Sequence, residues 1–279
     1  MTGAAPGWDE LLVSHWQVDW PLDVAVIAYA ALYLWGVARV RGRWPLARSA
    51  SFLAGLACLP VALQSGLGAY DERLLSVHMV QHMVLLLLAP LLLWGGRPVI
   101  LALRALPAPR RAGVVRALDR LRGILTPPVC VALFSAALLL THLTPLFAAT
   151  LRHPALHAAE HVLFVAVGMV FWWPLLDADP VPAHRLGGFG RLVYLLAAMP
   201  AMGLVGAYLN RATSVVYAPY AAPARALGLS AVADQQQAGA IMWVGGSSFM
   251  VAVGLWVAMA ALVAEERRLQ AREAREAPR

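Results

Sequence analysis

The sequence predicts an all-α, polytopic membrane bundle of seven transmembrane helices, with the N-terminus outside and the C-terminus inside. Three observations predict it. Hydrophobic residues fill 61% of the 279 positions and charged residues only 13%, against about 45–50% and about 25% in a soluble domain. The apolar residues gather in seven uncharged runs, and about 20 such residues cross a bilayer as a helix. The arginines between the runs are sorted by side.

The runs cover residues 24–38, 49–69, 76–95, 123–151, 161–176, 192–209 and 238–264. The first is short, and Trp20 and Pro21 extend it into the interface. Pro60, Pro90, Pro127, Pro174 and Pro200 fall within or at the ends of runs, where neighbouring helices can cover the freed carbonyls. With the N-terminus outside, the inner segments hold 18 of the 22 arginines and the outer ones only Arg73, Arg152, Arg211 and Arg225. That asymmetry sets the orientation, because basic residues collect on the cytoplasmic side.

Residues 1–264 read as a single seven-helix domain. Its first 21 residues, rich in tryptophan, read as a segment lying on the outer surface. They lack a basic start and an apolar centre, so no cleavable signal peptide is expected and the first span serves as the insertion signal. Residues 265–279 alternate acidic and basic side chains and read as a cytoplasmic tail. The net charge of +7 comes entirely from arginine, since the chain has no lysine. No loop carries a folded basic module, so the charge points to membrane sidedness and lipid, not to nucleic acid. Cys58 and Cys130 both lie in apolar runs, which leaves no disulfide framework and no cysteine-paired metal motif in the loops. No phosphate loop, dinucleotide fingerprint or nucleophile elbow is present.

Of eight histidines, seven fall on the outer side of this topology and only His184 inside. His78, Gln81 and His82 stand at i, i+3, i+4 and share one helix face. His157, Glu160 and His161 repeat the pattern, and His153 lies one turn earlier, before Pro154. His142 falls near the outer end of the fourth run. An i, i+4 pair can aim two imidazoles at one point, as a metal requires. A lone histidine in a membrane usually hydrogen-bonds a neighbouring helix, and that reading suits His15 and His184. Five on three helices at one depth point to a metal site, because polar groups in the bilayer are expensive and cluster where they function.

Met79 and Met83 follow the histidines of the third span, and Met242 lies early in the seventh. As thioethers they would suit copper(I); as apolar side chains they would simply pack. Asp234 opens an Asp-Gln-Gln-Gln stretch before the seventh span. It is either a metal ligand or the cap of its own helix, with Gln237 completing a capping box. Asp71 and Glu72 precede the third span on the same side and could equally be loop residues in water.

The motifs together resemble the multi-pass CtaG family of cytochrome c oxidase assembly factors, which is distinct from the single-span copper chaperone sharing that name. The matching residues are His78-Met79-Val80-Gln81-His82 with Ala89-Pro90 and Gly96-Arg97-Pro98, His142 with Pro145, and His157 to His161. Phe171-Trp172-Trp173-Pro174 with Asp179-Pro180, and Asp234-Gln235-Gln236 with Ala238-Gly239 and Met242-Trp243, complete the set. The resemblance implies a bacterial plasma-membrane protein, not an enzyme, that supports maturation of a copper centre in the catalytic subunit of a heme-copper oxidase. Extracytoplasmic copper chaperones are implied as further partners. It carries over His78, His82, His142, His157 and His161 as the motif histidines.

The reading is therefore an assembly factor binding copper at the outer face through His78, His82, His142, His153, His157 and His161, with Met79, Met83, Asp234 and Met242 in reach. The alternative is a zinc-dependent seven-helix membrane hydrolase, with three protein ligands, an activated water, and Glu160 or Asp71 as base. A heme cytochrome fits less well, because i, i+4 pairs do not face each other across a porphyrin.

Overall fold

Proline and capping residues decide where each apolar run becomes a helix. The structure, a computed structural model, describes residues 6–40, 42–176 and 186–276. After the short α1 (Trp8–Leu12), the chain enters α2 (Trp20–Arg39). The Asp19 side chain caps α2 by accepting from Leu22 N at 3.2 Å. Pro21 stands in the first turn, where a missing N–H leaves nothing unpaired. The expected first run, 24–38, thus gains about one turn at its N-terminal end.

α3 (Leu46–Gln64) and α4 (Gly66–Tyr70) form one span, Leu46–Tyr70. The N-terminal segment is tied over its end: Ser65 Oγ donates to Leu11 O at 2.9 Å and Gln17 N donates to Gln64 O at 2.7 Å. Leu11 is buried there while Trp8, Trp16 and Trp20 remain exposed, as an interfacial segment requires.

The third span, Leu75–Ala105, is longer than its apolar run. It comprises α5 (Leu75–Met83), a π-helical turn at Val84–Leu88, α6 (Ala89–Gly95) and α7 (Pro98–Ala105). Arg97, left-handed at φ 53°, joins α6 to α7. α7 then packs on α2, where Gly36 leaves room for Leu101.

The fourth span departs from the sequence reading. The apolar run 123–151 is not one helix but the end of α8 (Ala108–Ile124), then α9 (Pro127–Leu143) and α10 (Leu146–Thr150). Pro127 lacks the N–H that would continue α8, and Thr126 before it is held extended at ψ 156°. The axis consequently turns by 74° between α8 and α9. α8 buries no residue, repeats Val114, Leu118 and Leu121 on one face, and carries Arg110, Arg111, Arg116, Arg120 and Arg122. That is the pattern of a helix lying along a membrane surface. The apolar part of the pair is α9, whose 17 residues sit at the short end of the ~17–25 that cross a bilayer.

α11 (Pro154–Leu176), α12 (Gly188–Arg211), the short α13 (Ala221–Ala226), α14 (Ala231–Ala240), a second π turn at Ile241–Gly245 and α15 (Gly246–Glu276) complete the chain. Among the described residues, six helices are long and apolar enough to cross a membrane, and counting the bent α8–α9 pair as one span gives seven. The described residues contain no strand. Pro60, Pro174 and Pro200 lie inside α3, α11 and α12. His184, the Asp179-Pro180 pair and Arg185 lie outside the described residues.

The core runs through the middle of the bundle, where Phe134, Phe164, Phe171 and Trp172 are fully buried. α2 stands at the edge and buries only Tyr33 and Gly36. A close backbone approach joins α12 to α14. A Cβ on Gly206 would stand 2.6 Å from Gly239 O, and one on Gly239 would strike Gly206 O and Asn210 N. Small residues let membrane helices meet at this distance; Gly245, farther along the same span, would meet nothing within 4 Å. Gly239→Val is expected to destabilise the protein by about 1–3 kcal/mol, the usual range for overpacking. Thermal unfolding in detergent checks this, and an unchanged midpoint would show that the contact contributes little.

Candidate metal centre

Three helices deliver the histidines to one end of the bundle. α5 is held by a carboxylate from another span: Asp234 of α14 accepts from Leu75 N at 2.7 Å, from Ser76 N at 3.3 Å and from the Ser76 hydroxyl. These N–H groups have no partner inside their own helix. The sequence reading left Asp234 as a metal ligand or as the cap of its own helix, but Ser230 caps α14, accepting from Ala233 N at 3.3 Å. Gln235 likewise faces the preceding loop, accepting from Val216 N at 2.7 Å and donating to Ser214 O at 3.1 Å. The Asp234 oxygens are thus engaged in fixing α5.

With α5 fixed, His78 and His82 face α9 and α11. Their ring centroids lie 4.0 Å apart. His78 stacks parallel to His157 at 5.3 Å, and His157 lies 4.4 Å from His161. His82 stands 5.6 Å from His142 and 6.2 Å from His161. Five rings from α5, α9 and α11 therefore form one continuous cluster. Phe147 and Phe164 wall it, at 5.1 Å from His78 and 4.3 Å from His82.

Most of the donor atoms in this cluster are buried without a hydrogen-bond partner among the described residues. Both nitrogens of His78 and of His82 are in this state, with Nε2 of His142, His157 and His161 and both carboxylate oxygens of Glu160. Each such group ordinarily costs about 1–3 kcal/mol, so a run of them signals a site built for something that binds lone pairs. His142 is the most defined. Its Nδ1 lies 3.0 Å from Leu138 O, and a carbonyl can only accept, so Nδ1 carries the proton and Nε2 keeps its lone pair. Tyr217 fixes the same turn by donating to His142 O at 2.6 Å.

Two carboxylates complete the centre. Asp71, in the turn between the second and third spans, accepts from Gln81 Nε2 at 2.9 Å, and its carbonyl accepts from Tyr220 at 2.9 Å. Burial pushes its carboxyl pKa up to about 7, partly offset by the Gln81 hydrogen bond. Two donor triplets each bring their ligand atoms within 4.8 Å of one another: Asp71, His157 and His161, and His78, His157 and Glu160. A cavity of about 1180 Å³ opens beside them, lined by Asp71, Gln81, His157 and His161 together with apolar side chains such as Leu59 and Val162.

The remaining expected ligands stand elsewhere. His153 is exposed, and its carbonyl accepts from His157 N at 3.1 Å at the start of α11. His15 sits on the N-terminal segment, edge-on to Tyr70 at 5.7 Å. Met79 and Met83 are on the α5 face that carries Ser76 towards α14, about 100° per residue round from His78 and His82. Met79 and Met242 are fully buried in the core, and the Met83 sulfur lies against Gly246. Their surroundings are those of a packing seam between the third and seventh spans. Glu160, offered by spacing only as part of a helical pattern or as a base, is inside the centre. Its place three residues after His157 was the available signal.

Taken together, fold and site define a multi-pass membrane protein that gathers imidazoles and carboxylates at one end of its bundle, beside an open cavity. The donors are nitrogen and oxygen, a set that suits copper(II) or zinc and includes no thiolate. The chain belongs to the cytochrome c oxidase caa3 assembly factor family (Caa3_CtaG), whose description matches residues 31–263. It is similar to an uncharacterized protein of Mycobacterium leprae, 31% identical over 275 residues and 94% of this chain. Another uncharacterized protein, from Mycobacterium bovis, is 33% identical over 269 residues and 87% of this chain. The chain spans about two fifths of the length of these relatives, 41% and 40%. No solved structure matches it.

Proposed function

We propose that this protein is a copper-handling assembly factor of a bacterial plasma membrane, which holds copper at the outer end of its bundle and passes it to the catalytic subunit of a heme-copper oxidase. Copper here is cargo, not a resident cofactor, and the role requires no catalysis. One observation carries the reading: five imidazoles from three spans converge with seven of their buried nitrogens unpartnered, beside a cavity. A delivery site must hold a metal and also release it. More donors than a single ion can use at once, set beside an opening, suit both demands. The arginines of α8 mark the opposite, inner end of the bundle. Extracytoplasmic copper chaperones fit as the source and the oxidase subunit as the recipient.

The His78, His157 and Glu160 triplet is also a donor set that catalytic zinc accepts. Metal analysis of protein purified without chelator separates the two. Copper at about one ion per chain is the expected result. Zinc in its place, with hydrolysis of a lipid amide, would replace this proposal with the hydrolase.

A further inference from the structure

The two donor triplets share one residue. The outer one, Asp71, His157 and His161, lines the cavity; the inner one, His78, His157 and Glu160, is buried throughout. The common member is His157, and its two nitrogens face different ways. Nδ1 lies 3.7 Å from Glu72 Oε1, whose side chain is 59% exposed, while Nε2 is buried, 3.9 Å from Asp71 and without a hydrogen-bond partner. A proton on Nδ1 beside the Glu72 carboxylate leaves Nε2 with the lone pair. One lone pair serves one ion. An ion bound at about 2.0–2.2 Å needs its donors roughly 3.3–3.6 Å apart, so each triplet closes round a metal with small side-chain shifts.

We propose that a single metal ion occupies either of two stations in this protein, an outer one and an inner one, and moves between them about His157. This rests on the copper-handling reading and adds to it the route the ion takes. Moving inward, the ion releases Asp71 Oδ and His161 Nε2 and gains Glu160 Oε and one His78 nitrogen; the His157 Nε2 bond persists. One carboxylate and one imidazole are exchanged for another of each. The charge on the ion's ligands is therefore unchanged, and neither an electron nor a proton need be supplied. The outer station, at the cavity wall, loads and unloads. The inner station holds the ion out of water, bound to His78 and one ring from His82. Ligand by ligand exchange around a fixed donor avoids a bare ion in a low-dielectric interior, where an uncompensated charge is costly.

The test uses the full-length protein in detergent with cupric ion alone as the probe. Stoichiometry, the electron paramagnetic resonance spectrum and the rate of stripping by an external chelator are read for each variant. Wild type should bind one ion per chain and show two overlapping signals. Asp71→Asn should keep one ion with the inner signal alone and lose it to chelator about tenfold more slowly. Glu160→Gln should keep one ion with the outer signal alone and lose it about tenfold faster. His157→Ala should lower affinity at least a hundredfold and remove both signals; His157→Gln gives the same reading if the alanine variant does not fold. Two ions bound together in wild type would overturn the proposal. So would one unaltered signal and release rate in both carboxylate variants. If wild type binds no copper at all, the copper-handling reading itself fails, and that result needs no variant to be recognised.

Discussion

Replacing His78 and His82 together with alanine is expected to confine the ion to the outer station, so that the metal content retained after a chelator wash falls by about tenfold or more. The two rings lie 4.0 Å apart at the middle of the cluster, and between them reach His157, His161 and His142. Loss of even an outer-shell partner typically costs 10–100-fold in metal affinity, so loss of two central donors should exceed that. His153→Ala should leave the content unchanged, because this ring is exposed and outside the cluster. Unaltered helicity and elution of the double variant would show that the loss is of metal and not of fold. Removing four buried nitrogens that lack partners lightens the polar load on the bundle, so the variant should still insert. The paired His→Asn variant repeats the measurement with less empty volume left behind. Full occupancy in the double variant after the same wash would remove these residues from the account of the metal.

In cells lacking this protein, the partner oxidase is expected to accumulate with its hemes and without its copper. Of the clustered rings, the cavity meets His157 and His161, and its other lining side chains are apolar, carboxylate and amide groups with Arg73. That geometry suits passage of a small cation and offers no slot for a porphyrin between facing imidazoles. Oxidase activity should fall in proportion to the missing copper, and His82→Ala or His161→Ala should reproduce the defect while the level of the assembly factor holds. Added copper should restore part of the activity, because a delivery factor raises the local supply and does not create the recipient site. Metal and heme analysis of the isolated oxidase reads all of this. An inactive oxidase with its full copper complement would sink the delivery role.

The histidine cluster was legible because a helix obeys a fixed period. Once 76–95 and 161–176 are spans, His78 with His82 and His157 with His161 must share faces, and charge asymmetry puts them at one depth. Residue types that serve two purposes were harder to read. Asp234 fits an N-cap by sequence, and it is one, but of α5 across the bundle; a cap that reaches another helix leaves no local pattern. Asp71 and Glu72 are adjacent carboxylates in one turn, yet Asp71 is buried by Gln81 and Tyr220 while Glu72 faces water. Only tertiary contacts separate them. The fourth span was overestimated because apolar residues on both sides of Pro127 and Pro145 were counted as one run. The dihedral restrictions at those prolines weigh more than hydrophobicity. The π turns had no signature at all, since Val84–Leu88 is an ordinary aliphatic stretch.

That aliphatic stretch gives the third span two phases. A helix of constant pitch shows each neighbour the stripe its period dictates, so the outer half would fix the angular setting of the inner half. The wide turn at Val84–Leu88 breaks this gearing. Above it, α5 is set by Asp234 and aims its imidazoles at α11; below it, α6 is set by Gly55 and Gly168, which seat it against α3 and α11. Forcing the same residues into α-helical pitch would swing one half against the other by about 100°. Either the imidazoles or the glycine seats would then miss their neighbours, although every side chain that carries the chemistry would still be present.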